Sequence, residues 1–557
     1  MNERRSNRRI RLLLGVFVLV FAGTLARAAW LQGVQASTLE QMASRQHQAT
    51  TEIPAGRGTI FDRTGEPLAI GEQATTIYAD PRSVKEPRRV ALAAAKTLGL
   101  DAEKLYPLLA DRSHHFVYVK RKADPAKAAE LEKLKLPGLG FYAEEMRFYP
   151  QRGVAAHVLG YAGVDNQGLE GLERSLDSSL RGKPGSETTV TDPAGRLIDV
   201  ISTKPERAGD DVFLTIDHRI QANAETVLRE TVKRWGAKGG TAIVLDPRNG
   251  AVLAMAVAPG FDANAFGSAT ADRRRNRAVT DVYEPGSTFK VVTVAAALSE
   301  KIVTPTTPFT LASSIRVADR IIHEHEPRET QRMTVAQILS QSSNVGTITL
   351  AQMLGQSRLQ NWIDRFGYGK ATGVDAPGES RGLLPTYWSG STIGNVPIGQ
   401  GIGVTPIQMA SAYAAIANGG VMRVPHLVER IGNQSAKPTK GRRVISKTVS
   451  AQMMAMLRDV VSAEGGTGAA AKVPGYTVAG KTGTAAKPVP GGYSTSRYVA
   501  SFVGVVPAKD PHLVVLVQID EPRGAIWGGV VAAPAFAEIA RSSLVELEVA
   551  PDAAPAP

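Results

Sequence analysis

The 557-residue sequence predicts an α+β protein: one N-terminal transmembrane helix, an elongated mixed pedestal, and a domain whose antiparallel sheet packs between helical layers. Three observations predict it. Arg4, Arg5, Arg8, Arg9 and Arg11 precede the one apolar stretch long enough to cross a bilayer. Apolar runs in the second half pair up across tight connections, as hairpin strands do. Segments with helical periodicity and capping signals lie between and around those runs.

Taken in order, residues 1–11 are a basic segment and 12–31 a membrane anchor. Twenty residues at 1.5 Å each reach about 30 Å, the thickness of the hydrocarbon core. Arg27 lies near the far end, where its long side chain snorkels to the headgroups, and Trp30 suits the interfacial belt. The arginines keep the N-terminus in the cytoplasm and put everything after residue 31 outside. A cleaved signal peptide is the rival reading, because Leu12 to Ala26 and the alanines around Arg27 fit that pattern too.

Residues 32–209 read as a linker and a non-catalytic pedestal. Leu39 and Met42 continue a helical pattern out of the membrane, and Arg57, Asp62 and Arg63 are expected to form an ion-paired joint. Arg63 to Glu66 is a turn between strands, 90–98 and 126–134 are helices, 116–119 is a strand, and 192–196 is another turn. A second domain is expected over 210–549. Asp217 caps a helix over 220–235. Residues 241–246 and 251–257 are joined through Asn249-Gly250, a strong hairpin signal. Residues 333–339 read as a helix. Thr405, Pro406 and Gln408 mark the cap, first turn and N3 position of another. Strands are expected over 476–487, 498–506 and 512–519, with a closing helix over 534–547. The Pro- and Ala-rich stretch 550–557 is expected to be disordered.

The net charge of +13, from 65 basic and 52 acidic residues, suits an anionic membrane or an acidic polymer. The basic residues are spread out, and Arg273-Arg274-Arg275 is too short a cluster to indicate nucleic-acid binding. The chain has no cysteine and so forms no disulfide. His323 and His325 share a face if extended, but no third metal ligand can be placed, so a polar loop over a cleft is the preferred reading. The glycines from Gly399 to Gly403 lack the dinucleotide spacing and a Walker lysine. No cofactor or metal is expected.

The chemistry lies in three short motifs. Glu284-Pro285-Gly286-Ser287-Thr288-Phe289-Lys290 is a turn entering a helix, with Ser287 and Lys290 three apart on one face. A lysine whose ammonium pKa is lowered by burial or by a nearby cation accepts a serine proton. Ser342-Ser343-Asn344 follows 55 residues later, and Lys481-Thr482-Gly483-Thr484 another 139 residues on. Acyl transfer accounts for all three: Ser287 as nucleophile, Lys290 as base, and Ser342 as a proton relay. Asn344 orders either the lysine or a substrate amide. Lys481 and Thr482 offer a cation and a hydroxyl to a carboxylate, and Gly483 lets a substrate backbone lie close. The predicted substrate is a peptide with a free terminal carboxylate beside the scissile bond.

Ser-x-x-Lys, Ser-x-Asn and Lys-Thr-Gly in this order are similar to the signature of penicillin-binding proteins and serine β-lactamases. With Arg57-Gly58 to Asp62-Arg63-x-Gly65 and Arg277-Ala278-Val279-Thr280, the chain resembles the class B penicillin-binding proteins, monofunctional peptidoglycan D,D-transpeptidases. It looks most like the septal, cell-division type; the elongation type is the alternative. The resemblance implies a penicillin-binding/β-lactamase-like transpeptidase domain behind a dimerisation-type pedestal, with Ser287 acylated and Thr484 N–H as an oxyanion donor. It also implies stem peptides ending in D-Ala-D-Ala as substrate and β-lactam antibiotics as acylating inhibitors. Implied partners are a membrane-embedded division glycosyltransferase and other divisome proteins, at the bacterial inner membrane. The rival activities are a β-lactamase, for which no deacylating glutamate stands out, a D,D-carboxypeptidase, and a non-catalytic divisome scaffold.

Overall fold

The computed structural model describes residues 2–35, 48–191, 197–436 and 440–553. Leu39 and Met42, the turn at 192–196 and residues 554–557 lie outside the described residues. Contacts divide the chain into two compact units, one of residues 1–56 with 182–208 and one of 57–181 with 209–557.

In the first unit the N-terminal helix runs from Asn2 to Ala29 and closes in a π-turn over Trp30–Val34. It is the one helix among the described residues long and apolar enough to cross a membrane. The same unit carries a three-stranded antiparallel sheet of Gln48–Ile53, Gly185–Thr191 and Leu197–Lys204.

The second unit joins most of the pedestal to the C-terminal region. Val212–Leu214 pairs in parallel with Ile60–Phe61 and antiparallel with Val428–Ile431, so one sheet crosses the boundary expected at residue 210. Composition marks where the chain changes character; it does not register that strands hundreds of residues apart share hydrogen bonds. The joint expected from Arg57 is also built differently. Arg57 pairs with Glu173 at 2.6 Å and Asp177 at 2.7 Å, while Asp62 takes His218 Nδ1 at 2.6 Å.

The C-terminal part bears out the predicted layers. Five strands are antiparallel: β1 (Gly239–Leu245), β2 (Val252–Ala258), β3 (Ala479–Val489), β4 (Gly492–Val506) and β5 (Leu513–Asp520). Their order is β2-β1-β5-β4-β3, which leaves β3 at an edge. Alternation along each strand sends side chains to opposite faces. Ile243, Val503 and Leu516 join one core, while Val244, Phe502 and Val517 join the other. The first core is closed by α2 (Lys290–Ser299), α3 (Asn344–Leu354), α4 (Pro406–Ala417) and α5 (Lys447–Ser462). The second is closed by α1 (His218–Arg234) and α6 (Ala533–Glu546).

Local signals explain most helix ends. Asp217 accepts from Arg219 and Ile220 N–H at the start of α1, and Thr405 and Gln408 form a capping box on α4. The expected helix from Met333 begins later. Gln331–Thr334 pairs with Pro308–Leu311 as a strand, and Thr334 then caps a helix over Val335–Ser340. The expected disordered tail is ordered at its start: Asp552 accepts from the N–H and hydroxyl of Thr477, and Ala553 N–H donates to Gly475.

Candidate active site

The serine turn is shaped by glycine. Gly286 has a φ of +54°, in the left-handed region, and its N–H donates to Gly399 O. A Cβ on Gly286 would lie 2.9 Å from Thr484 O, and one on Gly399 only 2.1 Å from Gly286 O. The glycine run at 399–403 thus braces the turn before Ser287. A 3₁₀ turn over Gly286–Phe289 carries Ser287 and leads into α2, whose first residue is Lys290.

Lys290 is fully buried. Its Nζ donates to Ser342 O at 2.6 Å and Asn344 Oδ1 at 2.7 Å, and lies 3.3 Å from Ser342 Oγ. Burial, then the positive charge of Lys481, push its pKa well below the ordinary lysine value; Glu324 opposes the shift and Arg328 adds to it. A neutral amine has two N–H groups, which the two short contacts use, and one lone pair left to accept a proton. No hydrogen bond joins Ser287 Oγ to Lys290 among the described residues; the Lys290 contacts go to Ser342 and Asn344.

The second motif is a strained corner. Ser342 has a φ of +60°, unusual for a residue with a side chain. Ser343 then caps α3 by accepting from Gly346 N–H. Sequence reasoning missed the residue that fixes this corner. Glu324 accepts from Asn344 N–H at 2.7 Å, Ser343 Oγ at 2.6 Å and Val345 N–H at 3.2 Å, and pairs with Arg328. His323 O accepts from Asn344 Nδ2 at 3.0 Å. The His323–Glu326 run is therefore an anchor for Asn344, and the acidic residue between two histidines facing a serine-capped helix was the available signal. The one potential metal-ligand group among the described residues is elsewhere, at Asp62, Asp217 and His218. There Asp62 already bonds His218, and Asp217 caps α1, so both carboxylates are engaged.

The third motif lies on edge strand β3. Lys481 is fully buried, which lowers its pKa to about 7; its Nζ lies 3.2 Å from Thr482 O and 3.3 Å from Thr482 Oγ1. Thr482 Oγ1 bonds Thr467 Oγ1 at 2.7 Å, and Thr484 Oγ1 accepts from Gly528 N–H. Gly483 faces inward: a Cβ there would meet Ser501 Oγ at 2.4 Å and Thr288 Cγ2 at 2.9 Å. Its missing side chain lets the strand close onto the serine turn.

Ser287, Ser342, Thr482 and Thr484 line one cleft of about 620 Å³, while Lys290, Asn344 and Lys481 are buried close behind them. His325 and Trp527, not singled out for this role in the sequence, form part of its wall with their rings edge to face at 6.1 Å. Burial and the two lysine charges lower the His325 pKa to about 3, so its imidazole is neutral at pH 7.

This geometry agrees with the comparisons with known proteins. The penicillin-binding protein transpeptidase domain matches residues 240–541, and the penicillin-binding protein dimerisation domain matches 52–214. The chain belongs to the class B penicillin-binding proteins. Peptidoglycan D,D-transpeptidase FtsI of Escherichia coli K12 is 35% identical, covering 98% of this penicillin-binding protein and 93% of the relative. A probable peptidoglycan D,D-transpeptidase, PenA of Neisseria meningitidis, is 35% identical over 98% and 94%. Among solved structures, penicillin binding protein 3 of Mycobacterium tuberculosis complexed with aztreonam superimposes with a TM-score of 0.71. It is 30% identical and covers 91% of this penicillin-binding protein and all of that chain.

Proposed function

We propose that the chain is a serine D,D-transpeptidase that cross-links peptidoglycan stem peptides through an acyl-enzyme and is acylated by β-lactams. The observation that carries this reading is Lys290: fully buried, depressed in pKa, and hydrogen-bonded to both functional residues of the second motif. Lys290 takes the Ser287 proton as Oγ bonds to the carbonyl carbon of the penultimate D-Ala. The oxyanion is held by the N–H groups of Ser287 and Thr484, each such donor contributing about 3 kcal/mol. Ser342 passes the proton to the departing D-Ala amine as the C–N bond breaks. Asn344 keeps Lys290 aimed, and Lys481 with Thr482 hold the terminal carboxylate of the donor. An acceptor amine then attacks the ester, gives up a proton by the reverse route, and frees Ser287.

The arginines before the apolar helix support a cytoplasmic N-terminus and a catalytic region on the outer side of the inner membrane. The pedestal of residues 32–209 and the catalytic region of 210–549 act with a separate membrane-embedded glycosyltransferase and other divisome proteins. Arg277-Ala278-Val279-Thr280 before the serine turn supports the septal role over elongation. The test of the chemistry is intact mass after exposure to benzylpenicillin, followed over hours. A long-lived adduct on the wild type and none on Ser287→Ala is expected. Rapid adduct loss with drug turnover would make this a hydrolase, and a folded protein without adduct would leave a scaffold.

A further inference from the structure

Thr467 lines the cleft of Ser287 but belongs to none of the three motifs. It is exposed to the cleft, in the loop that follows α5. Glycines shape that loop. Gly468 N–H donates to Val460 O at 2.9 Å, which turns the chain back over the last turn of α5. A Cβ on Gly466 would lie 2.5 Å from Val460 O, and one on Gly529 would lie 2.5 Å from Thr467 O. Close backbone approach on both sides thus fixes where Thr467 sits.

Its side chain meets the third motif. Thr467 Oγ1 and Thr482 Oγ1 are 2.7 Å apart, and Lys481 Nζ donates to Thr482 Oγ1 at 3.3 Å. Thr467 Oγ1 has no other hydrogen-bond partner among the described residues. Each hydroxyl carries one hydrogen. One of the two is spent between them, whichever residue donates, and the other is left for a ligand. A carboxylate has two oxygens and only accepts hydrogen bonds. When one arrives beside Lys481, the bond between the threonines opens and each hydroxyl donates to one oxygen. A single bond between neutral groups is exchanged for two bonds to a charged one, each roughly twice as strong.

We propose that Thr467 is a further substrate-binding residue, the hydroxyl that together with Thr482 grips the two oxygens of the donor's terminal carboxylate. The proposal rests on the transpeptidase reading given above and adds to it a residue from outside the motifs. Thr467 orients the donor; no substrate bond is made or broken at it.

The test uses benzylpenicillin, whose carboxylate stands in for that of the peptide, and benzylpenicillin methyl ester, which lacks the negative charge. Acylation is followed by intact mass on the full chain in detergent micelles, for the wild type, Thr467→Val and Thr467→Ser. Valine keeps the shape and removes the hydroxyl, whereas serine keeps the hydroxyl. Thr467→Val should react with benzylpenicillin about tenfold more slowly or less still, the range of one charge-assisted hydrogen bond. With the ester it should stay within about twofold of the wild type, which also shows that the variant is folded. Thr467→Ser should keep most of the wild-type rate with both compounds. An unchanged benzylpenicillin rate in Thr467→Val would overturn the proposal. So would an equal loss on acid and ester, the mark of a hydroxyl that only steadies Thr482 and its strand, or a serine variant as slow as the valine one. No adduct from either compound on folded wild type would strike the transpeptidase reading, and this proposal with it.

Discussion

Two places in the same compact unit bury charge, and they do so in opposite ways. In the pedestal, Glu173 is fully enclosed and bonds Arg57 and Arg147, and Arg57 reaches Asp177 as well. These partners raise the Arg57 pKa against its burial. In the cleft, Lys290 and Lys481 are as deeply enclosed, but their contacts are hydroxyl, carbonyl and amide oxygens and they repel each other. Burial with a counter-ion makes a fixed joint. Burial without one makes an amine that gives up its proton far more readily than an exposed lysine, the property proposed for the base beside Ser287.

The sharpest way to break this contrast is Lys290→Met. Loss of a positioned base lowers rates by about 10²–10⁴-fold, so stopped-flow acylation by benzylpenicillin should fall by that amount with the fold intact by circular dichroism. In the pedestal the cost should appear in stability. Glu173→Gln leaves two buried guanidiniums short of a counter-charge, and about 3–5 kcal/mol should be lost in a denaturant titration. An unchanged midpoint would mean that the cluster relaxes and that pairing is not what holds it.

Acidity distinguishes the two sites further. Acylation should rise with pH as Lys290 loses its proton and fall again as Lys481, near pH 7, loses the charge proposed to hold the substrate carboxylate. The two lysines interact, so the limbs report the pair. Lys481→Met should abolish the alkaline limb and retain the acid one. The linkage has a definite sign. Lys481 titrates near 7 when folded and near 10.5 when unfolded, so between those values the unfolded chain binds more protons. Stability of the wild type relative to Lys481→Met should therefore grow as pH rises through that window, as read from unfolding midpoints. The smallest effect belongs to Glu324→Gln. It leaves Lys290 in place and loosens the corner that aims Asn344, so acylation should slow by about tenfold, the worth of one charged hydrogen bond. The acid limb should shift with it, because Asn344 helps to set the lysine environment.

Much of the site was legible because covalent spacing carries it. Ser287 and Lys290 are joined through one turn, Lys481 and Thr482 are neighbours on a strand, and the Asn249-Gly250 turn sets its own hairpin. What escaped was long-range. Glu324 lies about a helix length from Asn344 in sequence and declares its role only when a strand end meets a helix start. Gly399 and Gly286 are held apart by more than a hundred residues, yet their backbones touch. Trp527 stands outside all three motifs, and only the fold places it against His325. The sheet shared across residue 210 stayed hidden for the same reason: the Val212–Leu214 strand pairs with both Ile60–Phe61 and Val428–Ile431.

Asp552 gives the C-terminus a practical meaning. It grips Thr477 two residues ahead of β3, Lys509 Nζ holds its carbonyl, and Tyr476 OH reaches back to Val549 O. Any shortened form made for inhibitor screening should keep Asp552. Cutting at 549 would unclasp the base of the strand that presents Lys481, and potencies measured on such a protein would describe a slackened drug target.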